Sequence, residues 1–251
     1  AKDDVLTTRL NWGNNAVSTY SGHFLAESTF SRTVMDDKQN KSSLKAVVDI
    51  KPTNVILNAT IWKISPSKVS ADSEQIHFDN FNFCHSDPYL RINGIASKNA
   101  DDTLKVDLKD INIGYVFDIV NLKAVDFKGA ATGVAYASGL MKDPVMNTRL
   151  FVRNFSFNDG MFGDMDIYGE WKPKEEGVYL DADIRERDIA SVDVKGYIYP
   201  LKPKSGLDLD IRPQKANINF LELYTQSITS DITGRTSGRI HLFGPCSPLN
   251  L

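Results

Sequence analysis

Long apolar runs are missing from this 251-residue chain: nowhere do 18 apolar residues follow one another, and no charged segment leads into a short apolar one. The sequence as it stands carries neither a membrane-spanning helix nor a signal peptide. Cysteine is scarce as well. Cys84 and Cys246 have no CxxC partner and no histidine at ligand spacing, so a zinc or redox centre is not expected. They read as two free, partly buried thiols, although their separation in sequence leaves a pairing open. The four histidines, His23, His77, His85 and His241, share no ligand spacing, and no Ser/His/Asp set sits in a nucleophile elbow. No catalytic residue, metal ligand or cofactor is therefore expected. Charge of neither sign dominates, with 29 Lys and Arg against 32 Asp and Glu and a net charge of −3. Without a basic block, nucleic acid is excluded as the natural partner.

What the chain does have is a period of two. Leu44, Ala46, Val48 and Ile50 alternate with Lys45, Val47 and Asp49; Val178, Leu180, Ala182 and Ile184 alternate with Tyr179, Asp181, Asp183 and Arg185. Val192, Val194 and Ile198, then Leu207, Leu209 and Ile211, and earlier Leu104, Val106 and Leu108, follow the same rule. Alternation of this kind marks half-buried strands. Polar turns such as Asn158-Asp-Gly160 separate them, so successive strands should pair antiparallel as a meander. The expected fold class is all-β, with one helical turn plausible within Asp110–Asn121. The paired carboxylates Asp181/Asp183 and Asp208/Asp210 fall on the polar side of their strands and read as a solvated face, not as acid-base chemistry. Trp171 is in phase with Met165 and Ile167, which makes it a core or groove residue before a sugar platform.

The strongest organising signal is Gly129–Pro144, GAATGVAYASGLMKDP, which returns as Gly234–Pro248, GRTSGRIHLFGPCSP. Gly129, Gly133 and Gly139 each precede Gly234, Gly238 and Gly244 by the same 105 residues, and Leu104–Leu108 answers Leu207–Ile211. A repeat of this length divides the chain into residues 1–103, 104–206 and 207–251, the last a truncated second copy of a longer protein. Repeated glycine in strands marks a bend or the close approach of another backbone, here read as a sheet folding tightly on itself. An apolar face left open to water would forgo about 2 kcal/mol per side chain, tens of kcal/mol in all, against a net stability of about 5 to 15 kcal/mol. The sheet must therefore close as a barrel or sandwich, fold into a narrow V, or hold an apolar guest.

The run Leu207-Asp-Leu-Asp-Ile211, Asn217-Ile-Asn-Phe220, Asp231–Gly244 and Ser247-Pro-Leu249 resembles the repeating unit of TamB-type translocation and assembly module proteins, in the AsmA-like superfamily. Phe155–Gly160 and Gly163–Trp171 are similar to the connecting part of such proteins in Bacteroidetes. The resemblance covers residue 54 to the end best. It implies an elongated β-taco trough with an apolar interior, in a periplasmic segment of an inner-membrane-anchored protein, passing phospholipid acyl chains between the membranes. The groove would be lined by Leu104, Val106, Leu108, Val178, Leu180, Ala182, Ile184, Val192, Val194, Ile198, Leu207, Leu209 and Ile211. The alternatives are a scaffold for outer-membrane protein assembly with a TamA-like partner, and a closed β-sandwich without a guest.

Overall fold

A computed structural model of the chain describes residues 4–13, 20–36, 41–57, 60–115, 127–158, 160–199, 206–219 and 232–245. They form eighteen strands: β1 (Asp4–Gly13), β2 (Tyr20–Asp36), β3 (Lys41–Ile50), β4 (Thr53–Leu57), β5 (Thr60–Ile64), β6 (Ser67–Ala71), β7 (Gln75–Cys84), β8 (Tyr89–Ser97), β9 (Thr103–Asn112), β10 (Phe127–Ser138), β11 (Val145–Phe157), β12 (Gly160–Lys172), β13 (Gly177–Glu186), β14 (Ala190–Tyr199), β15 (Gly206–Gln214), β16 (Ala216–Asn217), β17 (Arg235–Thr236) and β18 (Ile240–Gly244). Sixteen of them make one antiparallel sheet, while β16 and β17 pair with each other. Of the expected helical stretch the structure describes residues 110–115, of which 110–112 are the end of β9 and only 113–115 form a helical turn. Cys246, Pro248 and the rest of that stretch lie outside the described residues; Cys84 is a half-buried free thiol.

The sheet order looks crossed near its start, where β7 touches both β5 and β6. The registers resolve this. β5 and β6 run against β7 in one unbroken register on either side of Ser65-Pro66. β3 and β4 likewise run against β2 with a one-residue slip at Lys51-Pro52. Each pair is one long strand that a proline interrupts, because proline has no N–H to give the ladder. Read this way, each strand of the large sheet up to β15 neighbours the next in the chain, and β18 follows β15.

The chain divides into two compact units, residues 1–108 with 136–144, and residues 109–135 with 145–251. In the first, Trp62 is buried and stacks on Phe83 at 4.9 Å, beside buried Ile50 and Val55. In the second, Val152, Met165, Ala182, Ile184 and Val192 are buried.

Four bulges share one construction. Asn80, Asp110, Asn154 and Lys215 have φ between 51° and 54°. Each is followed by an apolar residue, then Asn or Ser, then another apolar residue: Phe-Asn-Phe, Ile-Asn-Ile, Phe-Ser-Phe and Ala-Asn-Ile. At each, the backbone N–H donates to a side-chain oxygen: Asn93 Oδ1 (3.2 Å), Thr132 Oγ1 (3.0 Å), Asp164 Oδ1 (2.9 Å) and Ser237 Oγ (2.9 Å). A bulge leaves one residue without a ladder partner, and here a side chain supplies it. The acceptor is followed by glycine in three cases: Gly94, Gly133 and Gly238.

The repeat glycines thus have a local reason, the close approach of the adjacent strand. Gly129 and Gly133 have φ of 146° and 154°, and a Cβ on Gly133 would stand 2.2 Å from the Arg149 carbonyl oxygen. What approaches them is β11, within the same sheet. Gly139 is not on the strand face at all. It lies past the end of β10, with φ 58°, where its N–H donates to the Asn99 carbonyl. In the second copy the strand is broken between β17 and β18, with Gly238 in the gap donating to the Pro213 carbonyl. The reason lies upstream. Leu104 and Leu207 are 103 apart, whereas Asp110 and Lys215 are 105 apart, so the second copy carries two extra residues before its bulge.

Candidate functional site

In an antiparallel pair, residues directly opposite each other share a face. Applied to β11 to β15 and β18, the registers sort side chains into rows. One row runs Leu150, Ile167, Ala182, Val194, Ile211, Ile240; the next runs Thr148, Gly169, Leu180, Gly196, Leu209, Leu242. A third joins Val152, Met165, Ile184, Val192 and Pro213, and a fourth joins Trp171, Val178, Ile198, Leu207 and Gly244. All ten sequence-predicted lining residues of β13, β14 and β15 therefore lie on one face in register. Leu104, Val106 and Leu108 are half-buried on β9, in the other unit. Leu150 and Val152 escaped the sequence reading, although Met146, Thr148, Leu150 and Val152 alternate with Asn147, Arg149, Phe151 and Arg153.

Burial along this face is graded. The row Val152, Met165, Ile184 and Val192 is 1 to 8% exposed. Over its end lies the small β16–β17 sheet, whose Ala216 is buried beside Val192, Ala190 and Phe162. Arg235 fastens it, donating to Glu186 (2.9 Å) and to the Lys215 carbonyl (2.8 Å). Away from that cover, Leu180, Val194, Ile198, Leu207, Leu209 and Ile211 are only half-buried. Between Leu180 and Leu209 stands Gly196, which leaves a gap one side chain wide. Its backbone permits nothing larger, because with φ 149° a Cβ would meet the Asp208 carbonyl oxygen at 2.1 Å.

The opposite face carries a tyrosine cluster, Tyr179, Tyr197 and buried Tyr199, and is otherwise largely charged. Lys195 Nζ donates to Asp181 (2.9 Å), Arg239 Nε and Arg212 to Asp210 (2.9 and 3.2 Å), and Lys172 Nζ to Glu170 (2.6 Å). His241 Nε2 lies 2.7 Å from Asp208. The Asp210 carboxyl is held below its usual range chiefly by the Arg239 hydrogen bond, Asp183 by Arg185, and Glu170 by Lys172. Lys195 is raised by Asp181, and the Tyr168 hydroxyl by its bond to Glu170. These are exposed pairs of the kind that individually contribute little and weaken with salt. Among the described residues no group of three His, Cys, Asp or Glu gathers as metal ligands, and no helix is long and apolar enough to cross a membrane.

The arrangement is two-faced: a charged, ion-paired side, and an apolar side that is sealed at one end and half-open beyond it. Comparisons with protein-family models, with curated proteins and with solved structures each find no match to this chain.

Proposed function

We propose that the half-buried apolar face of β12 to β15 seats hydrocarbon chains, phospholipid acyl chains first among them, and that the protein is a periplasmic segment of a TamB-type, AsmA-like envelope protein. The observation that carries this reading is the graded burial: apolar rows in unbroken register, sealed beneath Ala216 and left half-covered around Leu180, Gly196 and Leu209. A flexible apolar guest needs width and continuity, not a fixed polar contact. Strands at about 4.8 Å spacing make the five-strand face of β12 to β15 and β18 roughly 19 Å across. The Leu180–Gly196–Leu209 gap gives an acyl chain a floor between two walls. The charged face meets water.

The test is native mass spectrometry of the purified chain with solvent extraction and lipid analysis. Co-purifying phospholipid that disappears in Leu180→Asp and Leu209→Asp is the expected result. A lipid-free mass together with a cooperative melt would sink the reading in favour of a closed sandwich. The runner-up, a scaffold for outer-membrane protein assembly with a TamA-like partner, rests on β18, which among the described residues pairs with β15 alone.

A further inference from the structure

The four bulges share a sequence pattern, and the last of them differs in one residue. The first apolar position after the left-handed residue is Phe81, Ile111 or Phe155 in three of them and Ala216 in the fourth. Phe155 is 9% exposed, with its ring against Phe127 and Phe162. Ala216 is 3% exposed and brings a single methyl group. A narrow, mainly apolar pocket remains beside it, whose lining includes Met161, Phe162, Ala190 and Val192. Close-packed interiors leave few such gaps. The contact of Ala216 with the large sheet is therefore thinner than a core contact.

How β16 and β17 are attached follows from the ladders. β15 and β18 pair from Leu207 with Gly244 to Ile211 with Ile240, and β15 then continues along β14 as far as Gln214. Lys215, at φ 53°, turns the chain into β16, which with β17 forms a separate two-stranded sheet lying against β12 and β14. At this turn the Lys215 N–H donates to Ser237 Oγ (2.9 Å) and the Gly238 N–H to the Pro213 carbonyl (3.0 Å). A charged pair makes the tie to β13. Arg235 Nη1 and Nη2 donate to Oε2 and Oε1 of Glu186, the last residue of β13, at 2.9 and 3.4 Å. These side chains are 37% and 29% exposed, so water and salt compete for the pair.

We propose that β16 and β17 form a latched flap over the sealed end of the apolar face. The flap turns about Lys215 and Gly238, the Arg235–Glu186 pair is its latch, and opening uncovers Val192. A segment held by a small apolar contact and an exposed ion pair opens at less free energy than the whole fold requires. Opening extends the half-buried face into the row of Val192, Ile184 and Met165. The use of that added length by an acyl chain rests on the lipid reading; the motion does not.

The test uses the chain with Cys84→Ser and Cys246→Ser and one reporter thiol, either Val192→Cys under the flap or Val152→Cys in the same row on β11. The rate of labelling by a maleimide reads the open fraction. Arg235→Ala and Glu186→Gln should each speed labelling of Val192→Cys about threefold, the scale of an exposed ion pair, and leave Val152→Cys unchanged. Raising NaCl to about 1 M should act in the same way on the chain with its latch intact and have no effect on Arg235→Ala. Latch variants that leave the Val192→Cys rate unmoved overturn the proposal. Equal acceleration at both thiols also overturns it, because the whole sheet would then be loosening. Phospholipid content is read separately on the same preparations. Labelling as expected on chains that carry no phospholipid would remove the lipid reading and leave the flap, whereas bound phospholipid with unmoved labelling would do the reverse.

Discussion

Gly133 and Gly238 occupy equivalent sequence positions but meet different surroundings, which makes them a matched pair for substitution. At Gly133 a Cβ would press on the Arg149 carbonyl at 2.2 Å with φ at 154°. Gly133→Ala should cost about 1 to 3 kcal/mol. Gly238→Ala, whose Cβ would meet nothing within 4 Å among the described residues, should stay within about 0.5 kcal/mol. Denaturant midpoints compare the two directly, and equal losses would remove the close approach as the reason for glycine. Val152 is the other sensitive position, since at 1% exposure its truncation leaves a hole in the sealed row. Val152→Ala should cost about 2 kcal/mol, and Leu180→Ala, half in water, clearly less.

At the scale of elements, the bulges and the last strand matter most. Asn154 places its backbone at φ 52° and gives its N–H to Asp164. Asn154→Ala and Asp164→Ala should each cost about 1 kcal/mol, the first through the left-handed backbone and the second through the lost bond. The double variant should lose less than the total, because both changes act on one bulge. β18 is held to β15 on the polar face by Asp210 with Arg239. The Asp210 carboxyl is depressed, so its contribution is complete above the ordinary carboxylate value and is lost as pH falls through the lowered one. Asp210→Asn should therefore speed hydrogen exchange at Ile240–Gly244 near neutral pH. Native and variant should converge on acidification and in high salt; a constant difference down to pH 2 would contradict the pairing.

The all-β class and the apolar phase of β13 to β15 were legible in the sequence because strict alternation leaves one assignment of faces. The bulges were not. Their signature, an Asn, Asp or Lys before apolar–Asn/Ser–apolar, is short, and its partner is a lone side chain on the next strand, as with Asp110 and Thr132. The glycine stripe and the close approach of another backbone were legible, but not that this backbone is the adjacent strand β11, since sequence spacing does not say which strand approaches.

For the molecule as a whole, the lipid proposal predicts linkage. A bound acyl chain stabilises the folded state by an amount that grows with the logarithm of free lipid once it exceeds the Kd. Adding phospholipid should raise the melting temperature of the native chain and leave Leu180→Asp unmoved; equal shifts in both would place the lipid elsewhere. The sequential meander carries a mechanical consequence. From β11 to β15 each strand pairs with the next in the chain. A force applied through β11 and β15 loads one ladder of hydrogen bonds at a time at its end, so this stretch should peel under tension strand by strand at low force, in place of the single abrupt rupture of a sheared sheet.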